Sequence, residues 1–488
     1  MEKRKTKLSL GGHHQLNLIN GVLFIKDLAV KHIVDKYGTP TFFFHSDLIK
    51  SAIEKIDRIF VRAFSLENRL DHRRIGNTSC SANYVNRIQK PKDTDFLNSQ
   101  ESSESRKSVE SQEFCEKENN SNKNDENDSE RGQLVNLSIK PRGFYSVKSN
   151  YLEPVIKMIN EMNFGFEIIT ELELNLLIKN RIDPERILCG GPYFPLSLME
   201  KAINYGIDEY VLYDLDDLIK INDIANRANT RIKVILRFVQ NKYEARVGIP
   251  AIDTEFDRLS DIIQKAKSIK IIGILNHYAS QMNSIEVYQK NAEFLVDIAN
   301  KLRDKCGIRC SVFDIGGGFP EAFIFPDTHF LKYLEEMRNI FIKNNWADVN
   351  IYYEPGRYIV GSAGFLFSKI VRRNNHYSTL FLDVGTNLIP IFARSSIRLH
   401  NVDKIACEQK KKFDIMGSIP SDQDLLAKNY NFEADSDVND RVIISGVGAY
   451  TLTFSNRFPY AFPAIIFYEN GEFHEYRSRG DSRDIALN

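Results

Sequence analysis

From about residue 141 to residue 356, short and almost wholly apolar runs alternate with stretches in which apolar residues recur every three or four positions. EYVLYD and KVILRFV have the length and composition of buried strands, whereas DDLIKINDIANRAN between them has the spacing of an amphipathic helix. Continuous apolar strands that alternate with helices predict a parallel sheet covered on both faces. Roughly eight such units favour a closed TIM barrel over an open doubly wound sheet.

The pattern changes after about residue 360, where β-type runs separated by turn residues replace the helical periodicity. GFLFSKIVRRN and DRVIISGVGAYTL are examples, and they predict a second, β-rich domain. Near the N-terminus, LNLINGVLFIKD is typical of a hairpin that turns at Asn20-Gly21, and we expect its strands to join the second domain. The predicted fold class is α/β plus β, with N-terminal strands over 1–37, a barrel over 38–360 and a C-terminal β domain of the sandwich or barrel type over 361–488.

One segment inside the predicted barrel, from about residue 89 to residue 136, consists mainly of Ser, Asn, Glu and Lys with almost no aliphatic residues. Such a segment cannot bury enough apolar surface to offset the entropy lost on ordering. We interpret it as a disordered insertion in a surface loop, where added length costs little. Inert low complexity is favoured over a phosphorylated or partner-binding segment.

The composition excludes several classes of function. Lys+Arg and Asp+Glu both number 65 in the 488 residues, so the zero net charge gives no case for binding nucleic acid or an anionic membrane. No apolar run reaches eighteen residues, so no transmembrane helix is predicted, and the basic N-terminus lacks the apolar run of a secretory signal. The six cysteines are scattered and have no zinc-site spacing, which predicts reduced thiols, no metal site and a cytoplasmic location.

Charged residues and glycines collect where the predicted barrel strands end, which is where TIM barrels keep their active sites. These residues are Lys148, Glu167, Arg237, His277, Ser280, Gly316, Gly317, Gly318, Glu354, Gly356 and Arg357. Taken singly, the lysine could be a solvated strand end, the histidine structural and the glycines a turn. Together they indicate a site, because all of them lie at the C-terminal ends of strands in the same predicted barrel.

The chemistry of this set indicates a phosphate-bearing carbonyl cofactor. Glycine N–H groups can cradle a phosphate, to which Arg357 adds charge. A buried lysine can form a Schiff base. A carboxylate such as Glu354 can keep a pyridine nitrogen protonated, which makes the ring an electron sink. Pyridoxal 5'-phosphate needs these groups from a protein.

Five motifs in order, GFYSVKSN, HYASQ, FDIGGGFP, YEPGRYIV and GVGAY, resemble those of the fold-type III pyridoxal-phosphate decarboxylases, which include diaminopimelate and ornithine decarboxylases. The resemblance runs from about residue 21 to residue 462, apart from the insertion. It implies an alanine-racemase-like TIM barrel with a C-terminal β domain, a small-molecule amino-acid substrate, and a homodimer with shared active sites.

The resemblance also implies roles for individual residues. Lys148 would be the Schiff-base lysine, Glu354 would pair with the pyridine nitrogen, and His277 would stack on the ring. Arg237 would lie near the lysine, and Glu167 stands where the family usually has an aspartate. The groups implied to hold the phosphate or line its site are Ser280, Gly316, Gly317, Gly318, Gly356, Arg357 and the hydroxyl of Tyr450.

Two departures from the family bear on the reaction. Where the family has a catalytic cysteine, donated by the partner subunit, this chain has Pro420, which has no proton to give. Asp424 matches the acid of the same motif and is a candidate catalytic group. Where diaminopimelate decarboxylases have an arginine for the distal carboxylate, this chain has Pro390-Ile391. The substrate is therefore either diaminopimelate-like or an amino-acid conjugate.

Three hypotheses remain open from the sequence. The leading one is decarboxylation of an amino acid, with Lys148, Ser421, Asp424 or water replacing the missing cysteine as proton donor. A cofactor-binding homologue without catalysis is the alternative that Pro420 suggests. An amino-acid racemase is disfavoured, because racemases of this fold tend to have an arginine at the position of Glu354.

Overall fold

The structure, a computed structural model, describes residues 7–10, 13–64, 141–240, 246–322 and 326–481. The insertion predicted over about 89–136 lies outside the described residues. Among the described residues, no helix combines the length and apolar character needed to span a bilayer.

The N-terminal residues form a small antiparallel sheet. Its strands are β1 (Lys7–Leu10), β2 (His13–Ile19), β3 (Val22–Ile25) and β4 (Leu28–Ala29), and helix α1 (Val30–Tyr37) follows. β2 and β3 form the predicted hairpin, in which Asn20 and Gly21 both have positive φ, as this turn requires. These strands make a sheet of their own, and Leu16, Leu23 and Ile25 pack in one apolar cluster with Phe365 and Ile443 of the second domain.

Strand β5 (Thr41–His45) and helix α2 (Ser46–Phe64) precede a closed barrel of eight parallel strands. The barrel strands are β6 (Pro141–Ser146), β7 (Gly165–Ile168), β8 (Ile187–Gly190), β9 (Glu209–Leu212), β10 (Ile232–Val239), β12 (Ile269–Leu275), β13 (Val312–Asp314) and β14 (Asn350–Tyr353), and a short β11 (Ile249–Pro250) pairs with β10. β14 pairs back to β6 and closes the barrel, so the predicted architecture is confirmed.

Helices cover the outside of the barrel. They are α3 (Glu153–Glu161), α4 (Glu171–Lys179), α5 (Leu196–Tyr205), α6 (Leu215–Arg227), α7 (Asp253–Lys265), α8 (Ile285–Cys306) and α9 (Asp327–Lys343), with α2 packed between α9 and α3 and a short α10 (Arg357–Val360) after β14. Apolar side chains such as Phe144, Ile235 and Val312 fill the interior. The polar chemistry is therefore confined to the strand ends.

The remaining strands build the β domain. They are β15 (Gly364–Asn374), β16 (Thr379–Leu382), β17 (Arg398–Asn401), β18 (Lys410–Met416), β19 (Leu425–Glu433), β20 (Arg441–Ser445), β21 (Ala464–Glu469) and β22 (Glu472–Arg477). β5 lies in this sheet, antiparallel to β15 and parallel to β21. The predicted boundary after residue 37 had assigned β5 to the barrel, and the strand pairing instead assigns it to the β domain.

Candidate active site

A cavity of about 530 Å³ lies at the C-terminal ends of the barrel strands, against the β domain. This volume is in the range typical of small-molecule and cofactor sites. Among the predicted site residues, it is lined by Lys148, Arg237, His277, Ser280, Gly317, Gly318, Glu354, Gly356, Arg357 and Tyr450. The fold thus brings together residues that are some 300 positions apart in the sequence.

Lys148 sits in a single 3₁₀ turn, Val147–Ser149, immediately after β6. Its Nζ lies 2.6 and 2.8 Å from the two carboxylate oxygens of Glu167, at the end of the neighbouring β7. The Ser146 hydroxyl donates to the same carboxylate at 2.6 Å. Burial alone would lower the pKa of the Lys148 ammonium, but the charges of Glu167 and Glu354 outweigh burial and raise the pKa above its ordinary value.

Glu354 follows β14, and its backbone N–H donates to the Gly316 carbonyl at 2.9 Å. Its neighbour across the strands is Asp314, the last residue of β13. Both side chains are buried. Burial, followed by the charges of Asp314 and Glu167, raises the pKa of Glu354 well above its ordinary value.

The glycine loop after β13 leaves room for a ligand to approach the backbone. Gly316 and Gly318 have φ of 68° and 84°, where side chains are rarely tolerated. A Cβ on Gly318 would lie 2.0 Å from the Ala279 carbonyl oxygen, and one on Gly317 would lie 2.6 Å from that of Glu354. Only glycine fits at these positions, as the backbone cradle for a phosphate requires.

Arg357 and Tyr450 join the barrel to the β domain. The Arg357 guanidinium contacts Glu321 at 3.3 Å, donates to the Phe392 carbonyl at 2.8 Å, and lies 5.0 Å from the centre of the Tyr450 ring. Tyr450, at a φ of 60°, donates its backbone N–H to the Ser149 carbonyl, one residue after the lysine. These contacts fix the cation and the phenol at the cavity wall.

Arg237 and His277 also line the cavity. Arg237 donates to the Tyr213 hydroxyl at 3.0 Å and lies over that ring. Burial, followed by the charges of Arg237 and Lys148, lowers the pKa of His277 to about 4. His277 is therefore a neutral, flat ring at neutral pH.

Three predicted residues do not line the cavity. Glu167 stands behind Lys148, and Gly316 supports the glycine loop by donating its N–H to Asp314 at 2.8 Å. The Asp424 carboxylate is buried and accepts the backbone N–H groups of Thr386 and Ile419, at 2.6 and 2.8 Å. Asp424 thus organises its own loop, and within this chain it does not reach the lysine's cavity.

Several residues of the site were not predicted from the sequence. Ser146, Phe319, Phe392 and Phe454 line the cavity, and Asp314 lies directly behind Glu354. Asp314 stands two residues before the glycine run and Ser146 two residues before the lysine, so their positions could have suggested them. Phe392 and Phe454 belong to β-domain loops, and no local sequence signal connects them to the barrel.

Residues 131–361 match the family model for the pyridoxal-dependent decarboxylase, pyridoxal binding domain. The chain is 25% identical to the diaminopimelate decarboxylase of Aquifex aeolicus over 358 residues, which cover 69% of this chain and 82% of the relative. By these matches the chain is similar to the fold-type III pyridoxal-phosphate-dependent decarboxylases. Since the matched domain binds pyridoxal and the matched relatives are decarboxylases, the chain is a lyase whose cofactor is pyridoxal phosphate, and the alternative of a homologue without catalysis is not favoured.

This decarboxylase is also similar to a second curated relative and to a solved structure. The chain is 22% identical to the L-glutamyl-[BtrI acyl-carrier protein] decarboxylase of Niallia circulans, over 70% of this chain and 86% of the relative. The solved diaminopimelate decarboxylase of M. jannaschii has the same fold, with a TM-score of 0.73, 16% identity and 97% of each chain covered.

The residues present fit the cofactor. The glycine loop, whose backbone a Cβ would obstruct, and Arg357 suit a phosphate, and the Lys148 amine suits an aldehyde. The buried Glu354 carboxyl group suits a protonated pyridine nitrogen. Each group faces the same cavity, at the ends of different strands.

Proposed function

We propose that this decarboxylase acts on the α-carboxylate of an amino acid or amino-acid conjugate and that Lys148 carries the cofactor covalently through Nζ. The supporting observation is that Lys148, the glycine loop and Glu354 surround one cavity. Bound there, the cofactor supplies an electron sink for the electron pair left when CO₂ departs. The groups that would hold its phosphate are the Gly316–Gly318 loop, Ser280, Gly356, Arg357 and Tyr450, and Glu354 would pair with its ring nitrogen.

We propose a separate role for each side chain around the ring. His277, neutral at pH 7, packs its flat face on the ring without adding charge. Arg237, held by Tyr213, places a cation beside Lys148. Glu167 orients the lysine amine with two contacts below 3 Å. Phe319, Phe392 and Phe454 give the cavity an apolar wall, and exclusion of water once the site is closed would strengthen each of these electrostatic interactions.

Lys148 is also the proton donor that we propose in place of the missing cysteine. After CO₂ leaves, the α-carbon must gain one proton to give the amine product. Pro420 has no proton, Asp424 is occupied by backbone N–H groups, and His277 is neutral. When Lys148 is not bonded to the cofactor, its Nζ is an ammonium within the cavity and can return this proton.

We further propose that the active protein is a homodimer. Ile391, Phe392, Phe454, Phe458 and Tyr460 are 49–73% exposed and belong to two segments joined by the hydrogen bond from Asn456 N–H to the Asn387 carbonyl. We call these five side chains, four of which are aromatic, the aromatic rim. Since Phe392 and Phe454 also line the cavity, a second copy that covers the rim would close the site.

The substrate remains a choice between two classes. A diaminopimelate-like amino acid is supported by the Aquifex aeolicus relative. A conjugate is supported by the Niallia circulans relative, which is a decarboxylase of a glutamyl group on an acyl-carrier protein. CO₂ release should be measured with diaminopimelate, ornithine, lysine, and a glutamyl thioester of a carrier protein. The member that releases CO₂ stoichiometrically identifies the class.

The role of Lys148 is tested by borohydride reduction of the cofactor-loaded protein, followed by peptide mass mapping. We expect the pyridoxyl label on Lys148, and we expect Lys148→Ala to lose both the label and CO₂ release. Lys233→Ala is the matched control, because Lys233 lies near the start of β10, at the other end of the barrel, where it pairs with Asp208. A label on another lysine, or CO₂ release that survives in Lys148→Ala, would contradict the assignment.

A further inference from the structure

Glu321 is a fully buried acid beside the cavity, and the reaction described above gives it no role. It comes three residues after Gly318, the last glycine of the loop that follows β13. Its Oε1 lies 3.3 Å from Nη1 of Arg357, and its Oε2 lies 3.5 Å from Nε2 of Gln281. Both partners line the cavity, so the carboxylate lies directly behind two groups of the cavity wall.

The packing around Glu321 holds its side chain against Arg357. The carbonyl of the next residue, Ala322, accepts a hydrogen bond from Lys55 of α2 at 2.9 Å. A Cβ added to Gly361 would lie 3.0 Å from Cγ of Glu321 and 3.3 Å from Cγ of Arg357. Gly361 has a φ of −54°, which any residue adopts, so the glycine at this position provides space for the ion pair.

A buried guanidinium and a buried carboxylate each need a partner, because an unpaired charge in the protein interior is costly. The Arg357 guanidinium is held at two further points, the Phe392 carbonyl and the Tyr450 ring, and both belong to the β domain. Glu321 anchors the same cation to the barrel. A guanidinium has five N–H donors, so the bonds to Glu321 and Phe392 leave donors for an anion in the cavity.

We propose that Glu321 is a positioning residue that directs the Arg357 guanidinium toward the phosphate of the cofactor. This inference rests on the proposed function, because it requires the phosphate to lie beside Arg357. It assigns Glu321 no contact with the cofactor or the substrate.

The carboxylate of Glu321 has two opposite effects on cofactor binding. Its negative charge repels the phosphate, so removal of the charge alone would tighten binding. Its contact with Arg357 holds a long side chain in one conformation, and without that contact phosphate binding must itself order the arginine, which weakens binding. The proposal requires the contact to matter more than the charge, and two near-isosteric variants separate the two effects.

The first measurement is equilibrium titration of each apo-protein with pyridoxal phosphate. Glu321→Gln removes the charge but keeps an oxygen that accepts from Arg357, so we expect an affinity within a few-fold of the unmodified protein. Glu321→Asp keeps the charge but is too short to reach Arg357, and we expect its affinity to fall by about tenfold, the order of one hydrogen bond to a charged group. An unchanged affinity in Glu321→Asp, or an equal loss in Glu321→Gln, would overturn the proposal.

The second measurement is ³¹P NMR of the loaded protein as a function of pH, because the chemical shift reports the ionisation of the phosphate. A cation beside the phosphate stabilises the dianion and lowers its pKa. Glu321→Asp should therefore raise the pKa of the bound phosphate toward that of the free cofactor. In an Arg357→Met background, Glu321→Asp should cost no further affinity. A loss of affinity that leaves the phosphate pKa unchanged would assign Glu321 to loop structure instead.

The matched control is Glu209→Asp, because Glu209 is a buried carboxylate that pairs with Arg142 at 3.1 Å and lies at the start of β9, at the opposite end of the barrel. It should leave the cofactor affinity and the phosphate pKa unchanged. Borohydride labelling of the unmodified protein tests the proposed function separately. A label on Lys148 with normal cofactor affinity in Glu321→Asp would reject this inference alone, whereas the absence of a label on Lys148 would reject the proposed cofactor attachment.

Discussion

At the scale of single residues, the state of the Lys148 amine depends on its neighbouring carboxylates. An ammonium cannot bond to an aldehyde, so the amine must lose a proton before it captures the cofactor. Glu167 and Glu354 raise the pKa of Lys148 above its ordinary value and therefore make this deprotonation harder at neutral pH. The site therefore favours the ammonium form of Lys148, which is the form that the proposed role as proton donor requires.

Glu167→Gln should shift cofactor capture to lower pH. The substitution removes the charge nearest Nζ, so the pKa of Lys148 falls and more of the amine is neutral at a given pH; a partner this close typically shifts a pKa by about one unit or more. The measurement is the rate at which the bound-cofactor absorption appears when apo-protein is mixed with pyridoxal phosphate between pH 6 and 10. The pH at half-maximal rate should decrease.

The control for this change is Glu153→Gln, which removes a carboxylate that pairs with Lys157 and Lys179 on the outer surface of the barrel. Its pH profile should match that of the unmodified protein. A Glu167→Gln profile that stays in place, or that moves to higher pH, would show that Glu167 does not set the charge state of Lys148.

At the scale of elements, the loop between β13 and α9 shows why three successive glycines follow a barrel strand. Gly318 combines a positive φ with a backbone oxygen 2.0 Å from where a Cβ would be. Gly307, at the C-terminus of α8, shares the positive φ of 66° but has no atom within 4 Å of that point. A comparison of Gly318 with Gly307 therefore distinguishes the cost of a positive φ, which both share, from the cost of a steric clash, which only Gly318 has.

Gly318→Ala should therefore lower the affinity for pyridoxal phosphate by at least about tenfold, because the loop must move before a Cβ can fit. Gly307→Ala should cost about 1 kcal/mol of stability and leave the affinity unchanged. Equilibrium titration of each apo-protein with the cofactor gives the affinities, and thermal unfolding gives the stabilities. Equal losses of affinity in the two variants would mean that general strain, and not the cradle, is responsible.

The sequence predicts this element well because a strand end, a lysine and a glycine run are local signals. Thr170 shows the limit of such signals: it follows β7 as an active-site residue would, yet its hydroxyl accepts the Glu173 N–H and caps α4 in a capping box. Strand β5 shows another limit, because TFFFH is buried on both faces and such a run suits either a barrel or a sheet. Its partner β21 lies about 420 residues away, beyond the reach of any local pattern.

The contacts that complete the site join residues that are far apart in the sequence, so local patterns could not predict them. Asp314 is the last residue of β13, and only the pairing of β13 with β14 brings it beside Glu354. Phe392 and Phe454 have rings 4.8 Å apart across two β-domain loops. The family resemblance identified the groups expected to touch the cofactor, whereas the packing of the two domains determines what lies behind and around them.

At the scale of the whole molecule, the exposed aromatic rim leads us to expect a homodimer. Phe454→Asp places a charge on the surface that we propose a second copy covers, so it should weaken the dimer and lower CO₂ release. Analytical ultracentrifugation over a range of protein concentrations measures the first effect. Tyr377→Asp is the matched control, because Tyr377 is 71% exposed in the turn between β15 and β16 and lies outside the rim. A Phe454→Asp variant that remains dimeric would locate the interface elsewhere.

The position of β5 between β15 and β21 also sets an order of events during synthesis. The ribosome releases TFFFH early, but β15 appears only after the whole barrel has been made, and β21 only after most of the β domain has been made. In the interval, three phenylalanines and an unpaired strand edge need protection, which makes this segment a natural target for chaperones. Tyr450 and Phe454 arrive late as well, so we expect the nascent chain to acquire its cofactor only near the end of folding.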